Sequence, residues 1–251
     1  MIQIKTAEEI ERMREAGLAV AQTLAGLREL VRPGVTTREL DRYAESTLRA
    51  RGMRPAFKGY RGYPASICAS PNEVVVHGIP SERRLAEGDI LSIDVGAEFE
   101  GYFGDAAVTL PVGRIAPEAE RLLRVTEEAL ARGLEQARPG NRLHDISWAI
   151  QSCAEEAGYG VVRDYVGHGI GRAMHEDPQV PNYGRPGSGP RLQAGMVLAI
   201  EPMINAGGAG VEVLADGWTV VTADRRLSAH FEHTVAIREE GPDVLTLPAR
   251  A

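Results

Sequence analysis

The sequence predicts an α+β fold made of two related halves, each a pair of helices followed by strands. Helix signals precede strand signals twice along the chain. A decapeptide also recurs: Leu85-Ala86-Glu87-Gly88-Asp89-Ile90-Leu91-Ser92-Ile93-Asp94 matches Leu192-Gln193-Ala194-Gly195-Met196-Val197-Leu198-Ala199-Ile200-Glu201. At nearly the same separation, Arg32-Pro33-Gly34 matches Arg138-Pro139-Gly140, and Gly52 matches Gly158. Several matches in one order point to a duplicated unit of about a hundred residues. With no linker between them, the halves, roughly 1–115 and 116–251, are read as one catalytic domain covering 1–251.

The elements follow from local chemistry. Thr6 and Glu9 form a capping box ahead of Ile10, Met13, Gly17, Val20, Leu24 and Leu27, which recur at helical spacing. Thr36 and Glu39 repeat the box for a helix that Gly52 closes. In the second half Pro117 suits a first helical turn, and Leu143, Ile146, Ile150 and Cys153 form a fourth helix ended by Gly158. Strands are expected at Val74–His77, Ile90–Gly96 and Tyr102–Leu110, then at Met196–Ile200, Val211–Leu214, Trp218–Thr222 and His230–Ile237. The Gly/Pro-rich stretch Pro181–Pro190 is a loop.

Composition narrows the function. The 251 residues are 43% hydrophobic, enough for a well-filled core, and the net charge of −7 offers no general attraction to nucleic acid or acidic lipid. No apolar run reaches spanning length, and Met1–Glu9 turns acidic without an apolar leader, so a soluble, unexported protein is expected. Cys68 and Cys153 lie far apart in no ligand pattern, which favours a reducing cytosol.

The acids carry the chemistry. Asp94 ends the apolar run Ile90–Ile93, and a hairpin turning at Phe99-Glu100 sets it opposite Asp105. Opposed carboxylates repel, and if buried they need a compensating cation. The repeat puts Glu201 at the position equivalent to Asp94, and Glu232 falls within the final strand. These acids together with a histidine suit a pair of borderline divalent ions such as Mn²⁺, Fe²⁺, Co²⁺ or Zn²⁺. His168, in Gly167-His168-Gly169-Ile170-Gly171, supplies the nitrogen, and its flanking glycines are expected to let the backbone approach a metal. His175-Glu176 is not a helical zinc motif, since residue 179 is Gln.

Ile93-Asp94-Val95, Gly104-Asp105, the His168 segment, Ile200-Glu201-Pro202 and Phe231-Glu232-His233-Thr234 resemble the five ligand motifs of type I methionine aminopeptidases. Tyr60-Arg61-Gly62-Tyr63-Pro64, Asn72–Pro80 and Asp216-Gly217-Trp218 resemble them too, along essentially the whole chain. The resemblance implies the pita-bread fold, with a pseudo-two-fold axis and a curved antiparallel sheet backed by helices. It implies two divalent ions, with Asp94 on one, Asp105 and Glu232 bridging, and His168 and Glu201 on the other; a structural monovalent cation can accompany them. It makes Glu201 a proton shuttle and gives His77 and His175 hold on the peptide and the tetrahedral intermediate. Tyr60, Tyr63, Cys68, His77, Met174, Trp218 and His230 would line a methionine pocket, with His175 also touching substrate. Three departures fall there: Phe57 where Cys is common, Met174 where Phe is common, and His230-Phe231 where Gln-Tyr is common.

The implied activity is removal of the initiator methionine from nascent polypeptides at the ribosome, by a cytoplasmic monomer that binds neither nucleic acid nor membrane. One rival is a proline-specific peptidase of the same fold. Another is a binding-only relative, which would have lost ligands that are all present here.

Overall fold

The computed structural model describes residues 1–247. Its helices are α1 (Ala7–Leu30), α2 (Thr37–Ala50), α3 (Pro117–Gln136) and α4 (Leu143–Glu156). Strands β1 (Arg54–Pro55), β2 (Ile67–Pro71), β3 (Val74–Val76), β4 (Ile90–Phe99) and β5 (Tyr102–Pro111) belong to the first half. The second half contributes β6 (Gly160–Val161), β7 (Gly167–Gly169), β8 (Glu176–Val180), β9 (Val197–Ile200) and β10 (Met203–Asn205). It continues with β11 (Val211–Val213), β12 (Val220–Thr222), β13 (Ser228–His230), β14 (His233–Arg238) and β15 (Gly241–Val244). No described helix is long and apolar enough to cross a membrane.

The helix ends form as their caps dictate. Thr6 and Thr36 each accept from the backbone N–H three residues on, while Glu9 and Glu39 return the bond. Gly52 and Gly158 take the left-handed conformation past the ends of α2 and α4. Turns at the matched positions also share backbone geometry. Gly34 and Gly140, and Gly88 and Gly195, all have φ between about +89° and +94° at matched turns. The turns entering β4 and β9 carry equivalent bonds, from Asp89 N–H to Ala86 O and from Met196 N–H to Gln193 O.

Every pairing is antiparallel. One sheet has β5 along one edge of β4, with β1 and β2 end to end along the other. The largest runs β15-β14-β9-β7-β8, and two three-stranded sheets, β13-β10-β6 and β11-β12-β3, fold beside them. The α1–α2 pair covers the first sheet with Val20, Leu27, Leu40 and Leu48; α3–α4 cover the second half with Leu122, Leu130, Ile146 and Ile150.

The halves join where β5 meets the segment entering β14. Glu232 N–H donates to Ala107 O at 2.9 Å, and Ala107 N–H returns to Glu232 O at 3.4 Å. On one side of this pair the Thr109 hydroxyl donates to His230 O and accepts from His230 N–H, each at 2.8 Å. On the other, the Thr234 hydroxyl donates to Asp105 O and accepts from Asp105 N–H, at 2.8 and 3.0 Å. The pseudo-two-fold axis therefore exchanges Thr109 with Thr234, Ala107 with Glu232 and Asp105 with His230.

Three expectations are corrected. The hairpin turns at Glu100-Gly101, so Asp94 faces Ala107 and Asp105 faces Gly96. The slip of two positions keeps both acids on one face, as diagonal neighbours. The strand expected over His230–Ile237 is broken, and Glu232 occupies the break between β13 and β14. Glu201 stands one residue beyond β9, where the expected strand Met196–Ile200 left it. Gly167 and Gly169 are required by neighbouring strands rather than by a metal: a Cβ at either would lie 2.4 Å from Ala199 O or 2.1 Å from Asp177 O.

Helix α1 lies directly on β5, because a Cβ at Gly104 would come within 2.7 Å of Gly17 N. Gly104→Ala must push α1 off the sheet and should cost about 1–3 kcal/mol, measured as a lower urea midpoint at unchanged slope. Gly208, with open space around its Cβ position, is the control: Gly208→Ala should leave the midpoint nearly unchanged.

Candidate active site

Strand ends deliver the acids to one place. Asp94 comes from β4, Asp105 from β5, His168 from β7, Glu201 from just past β9 and Glu232 from the break before β14. One ligand atom each from Asp105, His168 and Glu232 lie within 4.8 Å of one another. His168 Nε2 is 3.6 Å from Glu201 Oε1 and 4.0 Å from Asp105 Oδ2. His168 Nδ1 lies 2.9 Å from Gly169 O. A carbonyl only accepts, so Nδ1 carries the proton and the Nε2 lone pair points at the acids, the tautomer a metal needs.

Asp105, Glu232 and His168 are buried, while Asp94 and Glu201 open partly toward a cavity. Asp94 Oδ1, Asp105 Oδ1 and Glu232 Oε1 are buried without a hydrogen-bond partner. Partnerless carboxylate oxygens around an imidazole lone pair fit divalent cations and little else. Without a cation, burial pushes Asp94 and Glu201 up to about 7 and holds Asp105 and Glu232 well above the ordinary carboxylate range, with mutual repulsion adding.

The acids floor a cavity of about 140 Å³. Tyr63, Cys68 and Met174 are buried in its wall, with Tyr60 and Trp218 packed against them. The Tyr63 hydroxyl donates to Ile67 O and Gly78 O, which presents the ring, and Trp218 meets that ring edge-on at 5.1 Å. Cys68 pairs with Asp94 across β2 and β4, so sulfur lines the wall beside the acids. Both cysteines are free and buried. Phe57 also lines the cavity. A Cβ at Gly96 would lie 2.6 Å from Phe57 and 3.1 Å from Met174, so the two departures share one patch of wall.

His77 and His175 face the same cavity. His77 has a left-handed backbone, φ 60°, the kind of local strain that collects at functional sites. Its ring meets Tyr165 and Trp218 edge-on. His175 stacks on Tyr60 at 5.4 Å, and its Nδ1 is 3.0 Å from the Tyr60 hydroxyl. Burial lowers His77 to about 4 and, with His168 and the Arg61 guanidinium adding, His175 to about 3, so both are neutral near pH 7. Glu176 anchors the loop carrying Met174 and His175: it accepts from the backbone N–H of Arg172 and Ala173 and pairs with buried Lys5. His230 is not in the cavity wall. It is buried behind the acids with Nε2 3.6 Å from Glu201 Oε2, and burial lowers its pKa.

The sequence pattern of metallopeptidase family M24 matches residues 11–239. Methionine aminopeptidase 1 of Bacillus subtilis is 56% identical over 98% of this chain and 99% of its own length. The methionine aminopeptidase structure from Thermotoga maritima superposes with a TM-score of 0.98 at 49% identity, covering 99% of this chain and 100% of that one. The chain belongs to the methionine aminopeptidases of family M24. The prolidase of Pyrococcus furiosus is a more distant neighbour, with a TM-score of 0.79 and 27% identity, and this chain covers 66% of its length.

Among methionine aminopeptidases, then, the pita-bread fold and the buried Asp105-His168-Glu232 cluster are as the sequence motifs implied. Sequence reasoning gave no role to Arg61, which lines the cavity mouth, nor to the Lys5–Glu176 pair. Arg61 stood inside a quoted motif; nothing local signals that residues so far apart as Lys5 and Glu176 meet.

The metal-free protein should show the acids in its stability. Their folded pKa values exceed the ordinary 3.8 and 4.5, so the folded state holds more protons than the unfolded chain, and stability is lost as pH rises through about 7. The lowered histidines act oppositely, but only below their ordinary 6.5. The Tm of chelated protein should therefore fall from pH 6.5 to 8, and added Mn²⁺ should reverse the slope because cations compete with protons for the same oxygens. A flat profile with and without metal would contradict the cluster.

Proposed function

We propose that this metallopeptidase removes the initiator methionine from nascent proteins in the cytosol, as a monomer, preferring a small second residue. One observation carries the reading: partnerless carboxylates and the His168 lone pair floor a cavity walled by aromatic rings, a thiol and a thioether. Such walls suit an unbranched thioether side chain, and such a floor suits cations.

Two divalent ions would be held, one by Asp94, one by His168 and Glu201, with Asp105 and Glu232 shared. Bound there, they would supply Lewis acidity, acidifying water and polarising the scissile carbonyl. Glu201, on the cavity floor beside His168, is placed to take a proton from water and return it to the leaving amine. The Tyr60 hydroxyl can donate to His175 Nδ1, which leaves the Nε2–H free to donate to the carbonyl oxygen as charge develops. His77, fixed by Tyr165 and Trp218, offers a second neutral imidazole in the same cavity. With the scissile carbonyl over the acids, the second side chain is forced against His77 and His175, where only small groups fit.

Chelation should abolish cleavage of Met-Ala-Ser, and Mn²⁺, Fe²⁺ or Co²⁺ should restore it. Met-Lys-Ser should be slow, Leu-Ala-Ser weaker by about 1–3 kcal/mol in transition-state binding, and Arg-Pro-Pro inert. Equal rates for Met-Ala-Ser and Met-Lys-Ser would overturn the initiator-methionine reading, and cleavage of Arg-Pro-Pro would favour the proline-specific one.

Two substitutions separate the roles. His175→Ala should lower kcat roughly a hundredfold, about 3 kcal/mol, at unchanged metal content. Glu232→Ala should lose at least about a hundredfold together with metal affinity, because a shared ligand is gone. Metal loss in the His175 variant would make that residue a ligand.

A further inference from the structure

Arg61 stands at the cavity mouth in a conformation that costs stability. It has a left-handed backbone, φ 49° and ψ 23°, between the left-handed Gly59 and Gly62. The other cations of this segment are paired, Arg54 with Glu98 and Lys58 with Glu45. Arg61, exposed, has no carboxylate within 4.0 Å among the described residues. Its guanidinium lies 5.3 Å from the Tyr60 ring centroid. Tyr60 stacks on His175 at 5.4 Å, and the His175 ring is 4.1 Å from that of His168. Four planar side chains thus touch in succession, from buried His168 to exposed Arg61, ending in an unpaired positive charge on a protein of net charge −7.

We infer that Arg61 forms a subsite for acidic side chains at the third or fourth residue of the substrate. The inference rests on the aminopeptidase reading above, with the first carbonyl of the peptide over the acids. Extended chain advances about 3.3–3.6 Å per residue, so the steps of 4.1, 5.4 and 5.3 Å from His168 to the Arg61 guanidinium span at most about four residues of peptide leaving the cavity. The stack on Tyr60 holds the guanidinium at that exit, and its donors, fixed in a planar fork, match a carboxylate. Exposed pairs of this kind are weak and salt-sensitive, which sets the expected effect at about two- to fivefold per acidic residue.

The test compares the C-terminally amidated peptides Met-Ala-Asp-Asp, Met-Ala-Ser-Ser and Met-Ala-Lys-Lys on the metal-loaded enzyme. The wild-type protein should favour the acidic peptide through KM, with kcat unchanged, and the preference should fade in high salt. Arg61→Lys, which keeps the charge but loses the planar fork and the stack, should weaken the preference, Arg61→Ala should abolish it and Arg61→Glu should invert it. Arg61→Gly, which also relieves the left-handed backbone, should abolish it without lowering Tm. A wild-type enzyme indifferent to charge, or a preference that survives in Arg61→Ala, overturns the inference. So does a fall in kcat on all three peptides alike in Arg61→Ala, which would make Arg61 only a stacking partner of Tyr60. Failure to cleave Met-Ala-Ser-Ser at all would instead defeat the aminopeptidase reading, so the two failures are distinguishable.

Discussion

Two threonine hydroxyls hold the molecule together where it is electrostatically least comfortable. Thr109 and Thr234 each bridge the N–H and C=O of one residue across the pseudo-two-fold axis, His230 in one case and Asp105 in the other. Between them Ala107 and Glu232 exchange backbone bonds. These contacts satisfy polar backbone groups that cannot reach water, and they set Asp105 and Glu232 side by side. The neighbouring strands then bring Asp94, Glu201 and His168 to the same spot. A buried group of like charges is a liability that a binding cation converts into affinity, so the junction that joins the halves is also what makes the metal centre.

The pseudo-symmetry is broken where chemistry requires it. The axis pairs Asp94 with Glu201, both at the ends of matched apolar strands, but pairs Glu232 with Ala107 and Asp105 with His230. An acid at residue 107 would add a further charge to a group already lacking donors. His230 lies against Glu201 and Asp94 without itself facing the cavity. Duplication supplies two frames, and substitution at mated positions makes a single asymmetric site from them.

The cavity wall shows a second kind of constraint. Phe57 and Met174 both lie against Gly96, where a Cβ would collide with them, so that glycine makes room for the bulk of the wall. The wall is held from outside as well. Glu176, tied to Lys5 and to two backbone amides, fixes the loop that points Met174 and His175 inward. The N-terminal segment of one half thereby braces a cavity-lining loop of the other.

The amino-acid sequence by itself determined the helices, the duplicated halves and the identity of the acids. Capping boxes, helical spacing and left-handed glycines are local, and a repeat is visible without a structure. It also determined that Asp94 and Glu201 are mates, because each ends the same apolar decapeptide. It did not determine strand register or strand continuity. A hairpin can slip by two residues and keep the same face, so alternation alone could not place Asp94 opposite Ala107 instead of Asp105. The break at Glu232 was hidden for a related reason: its backbone bonds go to Ala107, more than a hundred residues earlier in the chain. His230, expected in the pocket, lies behind the acids because Thr109 captures its backbone. Only the tertiary structure decides such matters, since burial, charge spacing and the row from His168 to Arg61 arise from contacts between segments that carry no record of one another in sequence.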